Sequence, residues 1–325
     1  MRVLVSGIDG FVGSHAAEFL LAQPNVEVHG TVLLGAPVTN VAHLSTRLHL
    51  HTVDIRSESQ VEELFFSVRP QRVIHLAGQA FVPASVSNPT GTFDVNIQGG
   101  ITVLEAARKF REREGWEPSL LIVSTGEVYG KVDPGRQPIT EDFPLSPINP
   151  YAASKASLDM IAQAYMRTFG MHLVIVRPFT HVGPRQNPSF VCSDFGKRFA
   201  EIARGNSAPT IHAGNLSARR DFTDVRDIVR AYWMLFDQTS NEVVFNVCAS
   251  RVFQISEVID LYREITGIDV EVTTEPGRVR PYDVTLLHGS NERLVRITGW
   301  SPEYSFHQTL TDLFEYWKRQ LAYPQ

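Results

Sequence analysis

The chain has 325 residues, which at about 150 residues per domain predicts one large or two modest domains. Hydrophobic residues at 43% and charged residues at 20% are typical of an ordered globular protein. Lys and Arg total 30 against 35 acidic residues, and a net charge of −5 argues against nucleic acid or an anionic membrane surface as the partner. The two cysteines, Cys192 and Cys248, exclude a disulfide framework and a four-cysteine zinc or iron–sulfur site.

The sequence also predicts where the protein resides. The apolar run at residues 3–5 is too short for the core of a signal peptide, and no run approaches the roughly 18 consecutive apolar residues of a membrane span. The two cysteines are expected to be reduced thiols in the protein core. We therefore expect a cytoplasmic protein that does not enter a membrane.

Short apolar segments alternate with helical patterns through the first half of the chain, which predicts βαβ units and a parallel sheet. The predicted buried strands are 3–6, 26–32, 49–53, 73–76, 120–124 and 173–176. Helices are predicted at 12–22, 57–68, 91–113 and 150–168. Beyond residue 177, where Pro, Gly, Asn and Arg become frequent, we predict helices at 194–204, 225–237, 255–266 and 305–317 and a strand at 243–247.

The predicted fold class is α/β, a Rossmann-like doubly wound parallel sheet with a smaller C-terminal α/β domain. We assign residues 1–176 to a dinucleotide-binding domain and residues 177–325 to a substrate-binding domain. A segment of about 221–249 is expected to return to the first domain, because the strand at 243–247 suits its sheet.

The first predicted strand runs into a glycine-rich turn, and a helix follows at once. Gly7 permits the tight turn, Gly10 lets the backbone approach a pyrophosphate, and Gly13 allows the helix to pack on the strand. The amides around Phe11 and Val12, at the positive end of the helix dipole, suit an anion. We therefore predict a dinucleotide site here.

The choice between NAD and NADP stays open. An acid at the end of the second strand favours NAD, and an arginine there accommodates NADP, but the segment ends in Val32-Leu33-Leu34. Asp54, with Ile55 beside it after the third strand, is a candidate for the adenine edge. Asp54 also suits a helix cap or a turn.

A second group of residues points to catalysis. Tyr151 and Lys155 lie four residues apart at the start of a predicted helix, on one helical face. A lysine ammonium beside a phenol stabilises the phenolate and lowers its pKa, which suits proton transfer. Thr125 follows the strand at 120–124, at the sheet edge where open α/β folds bind ligands.

At this point the chain resembles the extended short-chain dehydrogenase/reductase family of NAD(P)-dependent nucleotide-sugar epimerases, dehydratases and reductases. The motifs stand in the family's order over essentially the whole chain. They are the Gly7/Gly10/Gly13 pattern, His75-Leu76-Ala77-Gly78, Asn96, Ser124-Thr125-Gly126-Glu127-Val128-Tyr129-Gly130, Tyr151 with Lys155, Arg177-Pro178 and the segment 220–227.

The resemblance implies a catalytic triad of Thr125, Tyr151 and Lys155. Tyr151 would exchange a proton with a sugar oxygen that Thr125 also hydrogen-bonds, and Lys155 would hold the nicotinamide ribose. Asn96 would be a structural support. The remaining implied contacts are Leu76, Ala77 and Gly78 to the cofactor and Gln79 and Thr180 to the substrate. The resemblance also implies a homodimer through the helices at 91–113 and 150–168, although these faces also suit an internal core.

Which reaction the chain catalyses depends on the residues after Thr125. The 4,6-dehydratases of the family carry Asp-Glu or Ser-Glu there, whereas this chain has Gly126 and Glu127. Glycine cannot protonate a leaving hydroxyl, so the resemblance favours the GDP-4-keto-6-deoxy-D-mannose reductases, which make GDP-D-rhamnose. Those reductases usually have Asn at the position of Thr180. A GDP-mannose 4,6-dehydratase using Glu127 as base, another nucleotide-sugar epimerase, and a non-catalytic dinucleotide sensor are the alternatives.

Three arginines in the second half are candidate ligands of the substrate diphosphate, since guanidinium groups bind phosphate oxygens bidentately. They are Arg185, Arg220 and Arg280. Surface salt bridges are the alternative, because Asp221 and Asp224 lie close to Arg220 in the chain.

No metal site is predicted. His49 and His51 alternate on a strand, but no third ligand follows at metal-binding spacing, so we expect surface histidines.

Overall fold

The computed structural model describes residues 1–238, 240–275 and 284–322. The strands in chain order are β1 (Arg2–Ser6), β2 (Glu27–Val32), β3 (His49–Thr52), β4 (Arg72–His75), β5 (Ser119–Val123), β6 (Leu173–Pro178), β7 (Thr180–Val182), β8 (Thr210–Ala213), β9 (Arg219–Asp224), β10 (Val244–Val247), β11 (Val252–Gln254), β12 (Glu271–Thr274) and β13 (Leu286–Leu287). The helices are α1 (Phe11–Leu21), α2 (Glu58–Val68), α3 (Val82–Ser87), α4 (Pro89–Phe93), α5 (Gly99–Glu114), α6 (Pro150–Phe169), α7 (Val191–Ala203), α8 (Val225–Leu235), α9 (Ile255–Thr266), α10 (Glu292–Thr298) and α11 (Phe306–Ala322).

The central sheet has seven parallel strands in the order β10-β6-β5-β4-β1-β2-β3. Helices α1, α8 and α10 bury apolar side chains against one face, and α2, α5 and α6 cover the other. Coverage of both faces explains why the strands are almost continuously apolar. The predicted doubly wound α/β fold is confirmed.

A smaller region follows the sixth strand of the sheet. Strands β7, β11 and β13 each pair with β9, and β8 pairs with β12. Helices α7, α9 and α11 pack around a second apolar core that includes Phe199, Tyr262 and Leu313. Strand β10 pairs with β6 in the large sheet, so the chain returns to the first region before it finishes the second. The division at residue 177 stays a prediction.

The predicted strands and helices are found within a few residues of their expected ends. The helix predicted at 91–113 is interrupted, because α4 and α5 are joined by a π-helical turn, Asp94–Gln98. The short elements α3, α10, β7, β8, β9, β11, β12 and β13 were not predicted. Within the three described ranges, no helix combines the length and apolarity that crossing a bilayer requires.

Candidate active site

The turn after β1 is shaped for a close backbone approach. Gly7 has φ +71°, and its N–H donates to the Thr31 side chain at 3.0 Å. The N–H of Gly10 donates to the Gly7 carbonyl at 3.0 Å. A Cβ on Gly13 would lie 2.3 Å from that same carbonyl oxygen. Only glycine fits at position 13, because the backbone of the turn after β1 lies directly against the start of α1 there.

The N-terminus of α1 fits the predicted pyrophosphate. The first backbone bond of the helix runs from Ser14 N–H to the Gly10 carbonyl at 2.9 Å, so the amides of Phe11, Val12 and Gly13 precede it. No side chain caps this end, since Gly10 is the N-cap residue. These amides and the positive end of the helix dipole form a site that suits an anion.

The residues after β4 lie beside this turn. The Ser6 hydroxyl accepts hydrogen bonds from the backbone N–H groups of Leu76 and Ala77, each at 3.1 Å. A Cβ on Gly7 would lie 2.9 Å from the Cα of Ala77, and one on Gly78 would lie 3.6 Å from the Lys155 ammonium. The structure therefore brings the predicted cofactor residues 76–78 next to Gly7 and to the catalytic helix.

Asn96 supports the same loop from the π-helical turn. Its amide accepts from the N–H of Gln79 at 2.8 Å and donates to the Gln79 carbonyl at 3.0 Å. It also donates to the Ser154 hydroxyl at 2.9 Å, which joins the loop to α6. π-helical turns are frequent at functional sites, where they redirect a side chain.

Asp54, the candidate for the adenine edge, forms an ion pair with Arg56. Its carboxylate accepts from the Arg56 guanidinium at 2.6 Å, and these hydrogen bonds lower the pKa of Asp54. Arg56 also contacts Asp94 at 2.8 Å. Ile55 is buried and packs against Gly99. The residues that directly follow β2, Leu33 and Leu34, carry no charge, and Leu34 is 83% exposed, so they do not separate NAD from NADP.

The catalytic helix α6 begins beside the strand that carries Thr125. Asn149 caps the helix by accepting the N–H of Ala152 at 2.8 Å, and Pro150 occupies the first helical position. This places Tyr151 in the first turn, where its phenol hydrogen-bonds the Thr125 side chain. The predicted pair therefore meets in space although the two residues are 26 positions apart in the chain.

The pKa of Tyr151 is raised, chiefly by burial and further by the charge of Glu127, while the Thr125 hydrogen bond opposes the rise. The expected lowering of this pKa by Lys155 is not found. The Lys155 ammonium instead donates to the Val123 carbonyl at 2.8 Å, and burial lowers the pKa of Lys155 to about 8. Tyr151 is thus a phenol at neutral pH, the form that donates a proton.

Glu127 lies next to Thr125 and contacts the helix cap. Its carboxylate accepts from the Asn149 side chain at 3.1 Å. Gly126 between them is buried, and a Cβ there would lie 2.9 Å from two ring carbons of Phe179. Position 126 therefore has no space for a side chain unless the Phe179 ring moves.

A cavity of about 620 Å³ opens beside these residues, between the two regions of the protein. Thr180 and Arg220 line it, as does Glu127. Arg220 also donates to the Val284 carbonyl at 2.6 Å. Apolar side chains line the cavity too, among them Phe81, Phe190, Val191, Phe195, Ile255 and Leu287.

Two predicted substrate ligands do not reach this cavity. Arg185 binds the carboxylate of Glu18 on α1 with both terminal nitrogens at 2.7 Å and does not line this cavity, so its assignment to the diphosphate stays a prediction. The Gln79 amide is used within its own loop, where it donates to Thr92 at 3.1 Å and accepts from the N–H of Phe81. Arg280 lies outside the described residues.

The sequence analysis missed a buried ion pair that positions α6. Arg177 on β6 binds both carboxylate oxygens of Asp159 at 2.7 and 3.1 Å. Arg177 also donates to the Tyr129 hydroxyl at 2.9 Å. Asp159 follows Lys155 by four residues, so it continues the helical face that carries Tyr151. The spacing of four residues between Lys155 and Asp159 is the sequence signal that could have pointed to Asp159.

Comparisons with known proteins identify the family of the chain. The family model of GDP-mannose 4,6 dehydratase matches residues 4–313. GDP-6-deoxy-D-mannose reductase from Pseudomonas aeruginosa is 31% identical over 320 residues, which cover 98% of each chain.

Solved structures extend the comparison. RMD from Pseudomonas aeruginosa complexed with NADPH aligns with a TM-score of 0.85 at 30% identity, over 98% of this chain and 99% of that one. UDP-glucose 4-epimerase from Thermus thermophilus in complex with NAD gives the same TM-score and coverage at 32% identity. The chain belongs to the GDP-mannose 4,6-dehydratase family, within the extended short-chain dehydrogenases/reductases.

Proposed function

We propose that this protein catalyses the NAD(P)H-dependent reduction of the C4 keto group of a GDP-linked 4-keto-6-deoxy hexose. Its similarity to GDP-6-deoxy-D-mannose reductase over nearly the full length of both chains supports this substrate class. A dinucleotide fits the cradle formed by Gly7, Gly10 and Gly13 and the N-terminus of α1, and the similar structures hold NADPH or NAD.

The proposed roles follow from the contacts of the triad. When bound, the reduced nicotinamide supplies a hydride to the C4 carbon. Tyr151 donates its proton to the carbonyl oxygen, which becomes the C4 hydroxyl, and Thr125 hydrogen-bonds the same oxygen. Lys155, beside Gly78, binds the nicotinamide ribose. The raised pKa of Tyr151 keeps the proton in place until the carbonyl is reduced.

The close approach of Phe179 to Gly126 is the observation that favours reduction over elimination. A 4,6-dehydratase of this family uses a side chain at position 126, and here a Cβ would meet the Phe179 ring at 2.9 Å. Phe179 is only 2% exposed. The site therefore lacks space for the group that protonates the departing hydroxyl. We assign Glu127 a different role: its negative charge raises the pKa of Tyr151 and so keeps the phenol protonated.

A GDP-mannose 4,6-dehydratase is the second candidate, because the family model carries that description and Glu127 occupies the position of the dehydratase base. The protein is incubated with GDP-mannose alone, and separately with the 4-keto-6-deoxy product and NADPH or NADH. Consumption of reduced cofactor only with the keto sugar is expected. Conversion of GDP-mannose without added cofactor contradicts the proposal. Tyr151→Phe is expected to abolish turnover and to retain cofactor binding.

Arg220 is the proposed diphosphate ligand among the described residues, because it lines the cavity and Arg185, the other described candidate, does not. Its guanidinium supplies the local positive charge that a dianion requires in a chain of net charge −5. Arg280 remains a predicted ligand.

We further propose that two copies pair through α5 and α6. Met160 and Phe169 on α6 are 63% and 40% exposed, and covering such side chains is favourable. The two cysteines are buried and unpaired, which is compatible with the predicted cytoplasmic location.

A further inference from the structure

A cluster of three histidines and one glutamate lies on β2 and β3, at the edge of the central sheet. Glu27 and His29 alternate on β2, and His49 and His51 alternate on β3. His29 and His49 are direct partners in the parallel register. The cluster is near the amino ends of these strands, whereas the cofactor turn and Thr125 follow carboxyl ends, so it is separate from the active site.

The donor atoms of three residues converge. The Nε2 atoms of His29 and His49 lie 3.1 and 3.4 Å from the same carboxylate oxygen of Glu27. All three donor atoms are within 4.8 Å of one another. Around a tetrahedral zinc ion with bonds of about 2.0–2.1 Å, ligand atoms are roughly 3.3–3.4 Å apart. Both imidazole nitrogens are therefore already close to that spacing from the carboxylate oxygen.

His51 supplies the outer contact that metal-binding histidines usually have. Its Nε2 lies 3.0 Å from the Nδ1 of His29. When Nδ1–H of His29 donates to His51, the Nε2 lone pair of His29 is left for a metal, on the side of Glu27. His29 is buried and its ring lies nearly parallel to those of His49 and His51, with centroids at 4.7 and 5.3 Å. The orientation of His29 is thus set by packing before any ion arrives.

We propose that Glu27, His29 and His49 bind a divalent transition-metal cation, with Zn²⁺ as the reference ion, and that His51 positions His29. Two imidazoles and one carboxylate suit Zn²⁺, Ni²⁺ or Cu²⁺ rather than Mg²⁺ or Ca²⁺, which prefer oxygen ligands. The ion would join the edge strand β3 to β2.

The test uses the full chain without a histidine tag, stripped with a chelator and titrated with Zn²⁺ in a calorimeter. We expect one ion per chain. His49→Ala is expected to weaken binding by about tenfold or more. His43→Ala is the matched control, because His43 is 52% exposed and contacts Glu18 at 3.0 Å, while His49 is 58% exposed and also contacts a glutamate. The control is expected to bind as the unchanged protein does.

Cobalt gives a second readout. Co²⁺ in a four-coordinate site has a strong visible spectrum, which His49→Ala should abolish. His51→Ala should keep the stoichiometry, weaken affinity about tenfold to a hundredfold and shift the spectrum, because His29 loses its partner. Absence of Zn²⁺ binding by the unchanged protein overturns the proposal. Equal binding by His49→Ala, or an unchanged cobalt spectrum in it, also overturns it.

Discussion

Replacing Gly126 tests whether position 126 is closed to a side chain. In Gly126→Ala the added methyl would lie 2.9 Å from Cγ and Cδ2 of Phe179 and 3.0 Å from Cε2. Carbon atoms pack best at about 3.5–4.0 Å, so the ring must retreat by about 0.6 Å or more. Behind it, a Cβ built on Gly289 would lie 2.7 Å from ring carbons, which shows that the ring already touches backbone there.

The expected cost follows from this confinement. Overpacking a well-packed core typically costs about 1–3 kcal/mol, and we expect Gly126→Ala to lower the free energy of unfolding by that amount. Gly126→Ser should cost more, because its hydroxyl is added to a buried position. Phe179→Leu in the Gly126→Ala background should recover part of the loss, since the smaller side chain removes the clash.

Urea unfolding of the single and double variants measures these differences. Gly135→Ala is the control, because Gly135 lies in the exposed turn Pro134–Arg136 and its Cβ would meet only the Asp133 side chain, at 3.3 Å. It should change stability by less than about 1 kcal/mol. A Gly126→Ala protein as stable as the unchanged one refutes the steric argument. A Gly126→Ser protein that dehydrates GDP-mannose refutes the functional conclusion drawn from it.

Three further predictions concern the buried polar groups. Asp159→Asn should cost about 3–5 kcal/mol in urea unfolding, because it leaves the buried guanidinium of Arg177 without its counter-ion, and an unchanged midpoint would contradict this. Burial and Lys155 lower the pKa of His75 to about 3. Below pH 6.5 the His75 imidazole therefore binds a proton in the unfolded chain but stays neutral in the folded protein. The free energy of unfolding should therefore fall as the pH decreases from 6.5 toward 3, by up to about 1.4 kcal/mol per pH unit for this group. His75→Asn should reduce that slope, and an equal slope in the variant would argue against a neutral buried imidazole. Glu127→Gln removes a charge that raises the pKa of Tyr151, so the alkaline limb of the pH–rate profile should move to lower pH; a limb that stays in place would remove Glu127 from this role.

Much of the fold could be predicted because strand and helix patterns in the first half are strong. Residues 3–6 form an apolar run and residues 12–22 follow a helical pattern, and the structure places β1 and α1 there. Strands β7 and β13 are short, and β9 carries charged residues such as Arg219 and Asp221. Their pairing depends on contacts distant in sequence, which periodicity does not reveal.

The candidate site was predictable where a motif determines local geometry. The glycine turn and the Tyr151 and Lys155 pair have fixed spacings, and both are found at the carboxyl end of the sheet. The ion pair of Arg185 could not be predicted, because its partner Glu18 lies 167 positions away in the chain. The contact of Gly126 with Phe179 and the meeting of His29 with His49 are likewise consequences of packing between distant segments.

The transfer of one deuterium atom tests the central claim most directly. The protein is given the GDP-linked 4-keto-6-deoxy sugar with NADPH or NADH that carries deuterium at the reactive position of the nicotinamide, and the product is examined by mass spectrometry and NMR. The account predicts a GDP-6-deoxy hexose with one deuterium on C4. A product with hydrogen on C4, or a protein that leaves the keto sugar unchanged and dehydrates GDP-mannose, would contradict it.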